Sequence, residues 1–362
     1  MHTIGRWLTG AALAALLSTS TGVAPAAAVT RMPLPFVGSS AAQSGTDTEV
    51  TFDSDGLTFH ASLRTPVHSR PGVAVLLLPG SGPTDRNGSQ TGLKADTMRR
   101  IADDLAAQGI TSLRFDKLGS GATGLAGLSP DRLPEYGFTS QADHAQAAAE
   151  LLADRTGVPV DRLAVVGHSE GALTALELTA RGIAHGGLAL LAPLPIRYLD
   201  LLTAQLNTQL DAAVRSGQLP ISDADAARTT LRESIESLRQ TGRLPANPDP
   251  LLASIGLVHA NARFLAEADA LDPPALAAAI GDGTHVLVTC SDKDLNISCD
   301  QVGALRDALD HTELRFAHLA NASHLLDELG PFPPSRIDPL VPLPESTEFA
   351  GVLHEWALGL TG

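Results

Sequence analysis

The sequence predicts an α/β protein: a mostly parallel sheet flanked by helices, interrupted once by a helical cap insertion. Three observations carry that expectation. Short apolar runs alternate with helical stretches along most of the chain, the rhythm of a sheet covered on both faces. Some runs, such as "VAVLLLP" (73–79), are continuously apolar, as strands buried on both faces are. The rhythm then stops between residues 197 and 280, where leucines recur at helical spacing instead.

The N-terminus reads as a targeting segment. Arg6, an apolar stretch from about Leu8 to Leu17 and the triplet Ala26-Ala27-Ala28 form the pattern of a secretory signal peptide spanning 1–28. That apolar stretch is too short to cross a bilayer, and no cysteine near Ala28 offers a lipid anchor. Residues 29–47, rich in Ser, Ala, Pro and Thr, read as an exposed leader.

From 48 to 196 the elements follow in order. "EVTFDSDGLTFHASLRTP" alternates around Asp55-Gly56, a hairpin signal. The 73–79 strand leads to a helix over about 95–108, then the strand "ITSLRF" (110–115). A helix over about 140–152 precedes "LAVVG" (163–167); a helix to about Ala180 and the strand "LALLAP" (188–193) come next. In the insertion, Leu199, Leu202, Leu206 and Leu210 mark one helix, and "SDADAARTTLRESIESLRQ" a second with Ser222 or Asp223 as its cap. Strands resume over 281–362 with "HVLVTC" (285–290) and "ELRFAHL" (313–319).

Charge limits the partners. Removing Arg6 with the signal segment 1–28 leaves a net charge of −16, which repels nucleic-acid phosphates and anionic membranes. Cys290 and Cys299 are the two cysteines. In an exported chain such a near pair reads as a disulfide. No further soft ligand accompanies them, so no metal is expected.

The stretch "VVGHSEGALTA" (165–175) sets Ser169 between Gly167 and Gly171, after a strand and before a helix. That context holds a serine hydroxyl on a tight turn at the carboxyl end of a sheet strand. A serine hydroxyl needs a base to become a nucleophile. Of the later histidines, His318 falls inside a strand and reads as packed core, His259 lies in the insertion, and His285 starts a strand. His324, in a loop after the last strand and just before a helix, can reach the same sheet edge. "VTCSDKDLNIS" offers Asp294 as the orienting acid, with Asp292 as the alternative.

"LLLPGSGPTDRNG", "LRFDKLGSG", "GHSEG", "SDKDLNI" and "NASHLL" occur in that order, and together they resemble the α/β-hydrolase superfamily, in its bacterial esterase and serine aminopeptidase-like branch. The likeness covers about 48–196 and 284–360. Ser291 departs from it, standing where many relatives have glycine. The resemblance implies a Ser169–His324–Asp294 triad working through an acyl-enzyme without a cofactor. It also implies an oxyanion hole formed by the backbone N–H groups of Ser81 and Glu170. Asp85, Arg86 and Asp116 read as turn-stabilising.

The expectation is an exported carboxylesterase acting on small ester substrates, with short to medium acyl chains preferred because a roofed site is a bounded pocket. A serine aminopeptidase remains the alternative, with Glu233, Glu236, Glu267 or Asp269 available to hold an amine. A non-catalytic binding protein of the same fold is the third.

Overall fold

In a computed structural model of the chain, residues 45–361 are described. The signal segment 1–28 and most of the 29–47 leader fall outside them. The first strand corrects the leader's boundary. β1 (Gly45–Ser54) starts within it, because Gly45, Thr46 and Asp47 pair with Pro66, Thr65 and Arg64 of β2 (Leu57–Pro66). Asp55 and Gly56 close the hairpin at φ 52° and 72°, the two positive values that a twist-matched two-residue turn requires.

Six more strands complete one sheet: β3 (Ala74–Leu78), β4 (Thr111–Phe115), β5 (Ala164–His168), β6 (Gly187–Leu191), β7 (His285–Ser291) and β8 (Glu313–Leu319). Their order is β1-β2-β4-β3-β5-β6-β7-β8, antiparallel through β1 and β2 and parallel from β4 onward. Every residue of β3, β4, β5 and β6 is buried, and β3 and β6 accordingly read as runs without a polar side chain. Alternate side chains feed two cores. Val75, Leu77 and Val166 pack with α1 (Thr97–Ala107) and α10 (Thr347–Gly359). Leu76, Leu78 and Val165 pack with α2 (Phe138–Thr156) and α3 (Glu170–Ala180) on the other face, where α9 (Cys299–Ala308) also lies.

The chain moves outward from β3 to β4 and then crosses back to β5 on β3's other side. The connections that leave the carboxyl ends of β3 and β5 therefore run in opposite directions, leaving the crevice where open α/β sheets bind ligands.

Between β6 and β7 lie α4 (Tyr198–Arg215), α5 (Ile221–Thr241), α6 (Pro250–Ser254), α7 (Ala262–Ala270) and α8 (Pro273–Ala278). Leu199, Leu206 and Leu210 are buried among Leu231, Ile235 and Leu238 of α5, with Leu202 half-buried beside them. α5 starts after Pro220, so Ser222 and Asp223 sit inside its first turn and neither caps it. Asp269 pins this block. Its buried carboxylate accepts from the Leu199 N–H (2.9 Å), Arg197 (2.9 Å) and Arg239 Nε (2.8 Å). Burial pushes that carboxyl up, but the Arg239 and Leu199 hydrogen bonds outweigh it and hold the acid below its usual range. No helix among the described residues is long and apolar enough to cross a membrane.

After β8 the chain runs irregularly to α10 and brings Glu345 against Asp104 of α1. Burial first, and then the facing Asp104, push the Glu345 carboxyl up to about 8. The folded state thus holds a proton that the unfolded chain releases near its ordinary value. Such a group contributes stability that is complete below the ordinary carboxylate range and lost as pH rises through about 8. Glu345→Gln, neutral throughout, should flatten this decline. Thermal melts at pH values of about 5 and 9 should show the variant gaining on wild type only at the higher pH. Parallel curves would count against a shared buried proton.

Candidate active site

Loops leaving the carboxyl edge of neighbouring strands bring the candidate residues together. At the end of β5 the strand and α3 approach so closely that a Cβ on Gly167 would lie 2.3 Å from the Gly171 carbonyl oxygen. One on Gly171 would lie 2.2 Å from the Leu78 oxygen of β3. Only glycine fits either place. Between them Ser169 sits at φ 55°, ψ −120°, backbone space that residues with a Cβ rarely occupy. The strained turn raises Ser169 Oγ above the sheet edge.

His324, beyond β8, places Nε2 3.1 Å from Ser169 Oγ and Nδ1 2.7 Å from Asp294 Oδ2. An ionised carboxylate only accepts, so Nδ1 carries the proton and Nε2 of the neutral ring faces the hydroxyl as acceptor. The Asp294 side chain is 1 % exposed. Its Oδ1 accepts from the N–H groups of Asn296 (2.7 Å) and Ile297 (3.0 Å), so the carboxylate is buried but fully partnered.

The two acids sort between two histidines. Asp292 is exposed and pairs with His318 at 2.6 Å, away from Ser169. The expectation that His318 packs in the core is corrected here: β8 is the sheet's edge, and alternate residues of it face solvent. The helix expected directly after His324 is corrected too. A largely irregular segment with one 3₁₀ turn (Asp338–Leu340) runs from His324 to Ser346, and the next α-helix is α10.

The acid and histidine loops are tied together. Ser291 Oγ donates to the Ala322 carbonyl at 2.5 Å, two residues before His324. The residue that departs from the family pattern thus bridges the loops. The Cys290–Cys299 disulfide closes the segment containing Asp294. Among the described residues, Cys290, Cys299 and His318 come within metal-ligating reach of one another, but both sulfurs are used in the disulfide.

His168 has a role that the sequence does not assign. Its ring is buried and Nε2 donates to the His324 carbonyl at 2.7 Å. Burial, then the neighbouring His324, lower its pKa to about 4. It is therefore a neutral strut under the His324 backbone. Its place in "GHSEG", next to Ser169, is the one local signal of that role.

Ser81 follows β3, and Glu170 starts α3. Among the described residues neither backbone N–H donates to a protein acceptor; Glu170 follows Ser169 in the chain, and Ser81 follows Gly80, which packs on Ser169. Gly80 packs with its Cα side against Ser169, where an added Cβ would stand 3.3 Å from the serine Cβ. Ser81's own carbonyl is held by Gln90 Nε2 (2.8 Å) and Thr84 Oγ1 (2.9 Å). The arrangement sets a hydroxyl in hydrogen-bond contact with a base, next to two residues, Ser81 and Glu170, whose N–H groups engage no protein acceptor among the described residues.

A model of the α/β-hydrolase family matches residues 75–332. Among proteins with curated descriptions, none matches this chain. Solved structures do. An esterase of Pyrococcus furiosus is 14% identical, with 91% of this chain and 100% of that one covered at a TM-score of 0.51. Est1E of Butyrivibrio proteoclasticus is 14% identical over 86% of this chain and 97% of that one, with a TM-score of 0.51. The esterase domain of a Rhodothermus marinus protein is 17% identical over 86% and 98%, with a TM-score of 0.50. At these identities the likeness is one of fold.

The disulfide closes a short loop, a constraint worth about 2–3 kcal/mol in the chain-entropy model. The unfolded, unreduced protein should therefore titrate no free thiol. Reduction with a dithiol should speed amide hydrogen exchange at Asn296 and Ile297, whose N–H groups bond Asp294, while β5 stays protected. Unchanged exchange at those two amides would show that the loop holds its shape without the bond.

Proposed function

The chain belongs to the α/β-hydrolase family, and from that membership we propose that it is an exported serine hydrolase cleaving carboxylic esters of short to medium acyl chain. The observation that carries this is the hydrogen-bonded series Ser169–His324–Asp294, set on a strained turn beside two unengaged N–H groups.

His324 Nε2 takes the Ser169 proton as Oγ attacks the acyl carbon. Asp294 holds the ring in the required tautomer and stabilises the imidazolium that forms. Negative charge developing on the carbonyl oxygen is met by the N–H groups of Ser81 and Glu170, the second at a helix N-terminus. His324 then returns its proton to the leaving alkoxide. Water, activated by the same base, releases the acid from the acyl-enzyme. The residues call for no cofactor.

Acyl preference follows from the insertion. α4 reaches both sides of the site: Tyr198 donates to Glu170 (2.8 Å), and Gln205 donates to the Asn296 carbonyl in the acid loop (2.9 Å). Helices held there act as a roof over the crevice and bound the acyl site. The disulfide supports export, since such bonds persist in oxidising compartments.

An aminopeptidase would need a carboxylate free to hold an amine. Glu267 is taken up by Arg263 and the Thr139 N–H, and Asp269 by two arginines. Glu233 and Glu236 are exposed on α5. Those partnerships favour the ester reading.

Ser169→Ala and His324→Ala should each lower turnover by on the order of 10⁵-fold with the fold intact. Asp294→Asn should cost about 10⁴-fold, by analogy with triads whose acid is lost, while Asp292→Asn changes little. kcat/KM across aryl esters from acetyl to palmitoyl should peak at short to medium length. A maximum at palmitoyl, or faster cleavage of aminoacyl arylamides, would overturn the substrate class. A larger loss in Asp292→Asn than in Asp294→Asn would overturn the acid.

A further inference from the structure

Lys117 stands two residues beyond β4, its side chain 9 % exposed, and takes no part in the chemistry above. Its ammonium donates to the Gly80 carbonyl (3.0 Å) and to Glu170 Oε1 (2.9 Å). Both acceptors belong to residues that set the two backbone donors beside Ser169.

The Gly80 carbonyl and the Ser81 N–H are opposite ends of one peptide plane. The described residues contain no cis peptide, so the two groups point in opposite directions. A buried cation that draws the carbonyl inward turns the N–H outward, toward the crevice. On the other side, the Glu170 carboxylate is gripped by three donors. Lys117 and Gln141 Nε2 (3.1 Å) hold Oε1, and Tyr198 OH (2.8 Å) holds Oε2. Burial, and then the Glu170 charge, raise the Tyr198 phenol well above its usual value, so it remains a donor. The residue that carries the second N–H is thereby fixed by its own side chain.

Charge gives a second reason for the lysine. An unpaired carboxylate one residue from the nucleophile would oppose the negative charge that the site must stabilise. Lys117 cancels it. An ion pair serving the core alone would account for Glu170 but not for the bond to Gly80.

We propose that Lys117 is a positioning residue of the oxyanion hole, aiming the Ser81 N–H through the Gly80 carbonyl while neutralising and anchoring Glu170. This rests on the esterase reading and adds to it the group that organises both N–H donors.

The test compares wild type with Lys117→Met and with the double variant Lys117→Met/Glu170→Gln. The single variant strands a buried carboxylate and should melt lower than the double. The double variant removes both charges, keeps the side-chain shapes and lacks the lysine's bonds to Gly80 and to residue 170. Its kcat for an aryl ester should fall about 10²-fold, the scale of losing one oxyanion donor, with KM nearly unmoved. A trifluoromethyl ketone, which forms a tetrahedral oxyanion on Ser169, should lose affinity in the same proportion. The matching secondary alcohol, which forms none, should bind as in wild type. A folded double variant with kcat within about threefold of wild type would overturn the proposal. So would a loss of alcohol affinity equal to that of the ketone, which marks general distortion. Wild-type protein that neither turns over esters nor binds the ketone would instead overturn the esterase reading itself.

Discussion

Crowding where β3, β5 and α3 meet is the constraint on which the rest of the site depends. The Leu78 carbonyl stands 2.2 Å from where a Cβ on Gly171 would be, and the Gly171 carbonyl crowds Gly167 just as closely. A helix can leave β5 at that distance only by turning within one residue, and Ser169 absorbs the turn at φ 55°. Sheet packing on both faces supplies the free energy that keeps the strain in place. The same closeness sets α3's first N–H beside the end of β3. The nucleophile and oxyanion donors proposed above are thus products of a single packing contact.

Around that contact every buried acid has a specific set of donors. Asp294 accepts from His324 and two backbone N–H groups, and Glu170 from Lys117, Gln141 and Tyr198. Asp116, next to Lys117, takes the Arg86 N–H (2.7 Å), the Arg86 guanidinium (2.8 Å) and the Ala122 N–H (2.8 Å). Burial pushes the Asp116 carboxyl up, yet the Arg86 bonds hold it below the usual range. Two consecutive residues after β4 therefore divide one task. Asp116 fixes the loop at Arg86, and Lys117 fixes its start at Gly80. Buried charges left alone would cost several kcal/mol each, which is why these sets are complete.

How much was legible depends on range. β3 and β6 announce themselves because burial on both faces leaves a run with no polar alternation. The elbow is legible because its glycines, strand and helix are contiguous. Ser169, His324 and Asp294 each sit just beyond a strand, so a one-dimensional pattern places them on one edge. His318 misled because a strand's period does not tell an edge from a centre, and β8 proved to be an edge. Lys117, Gln141 and Tyr198 were invisible for a different reason. They come from the loop after β4, from α2 and from α4, and converge on Glu170 over sequence separations of 53, 29 and 28. No local spacing records that convergence. Ser291 stands out in the sequence only as a departure, and its bond to Ala322 depends on β7 and β8 lying in register.

The insertion and the acid loop explain why rigidity and selectivity can be separated in this molecule. Asp294 is fixed from the core side: by the disulfide closing its loop, by Ser291 joining it to the histidine loop, and by the N–H groups of Asn296 and Ile297. None of those contacts involves the α4–α8 block. That block has its own apolar interior and its own ionic anchor at Asp269. α4 meets the site through two hydrogen bonds, from Tyr198 to Glu170 and from Gln205 to Asn296. Substitutions inside the block can therefore reshape the space above Ser169 while the Ser169–His324–Asp294 geometry stays set by the sheet. Tyr198 is the exception. It reaches Glu170 itself, so a displacement of α4 large enough to break that bond would loosen the residue carrying one oxyanion N–H. The roof's position would then act on rate as well as on substrate choice.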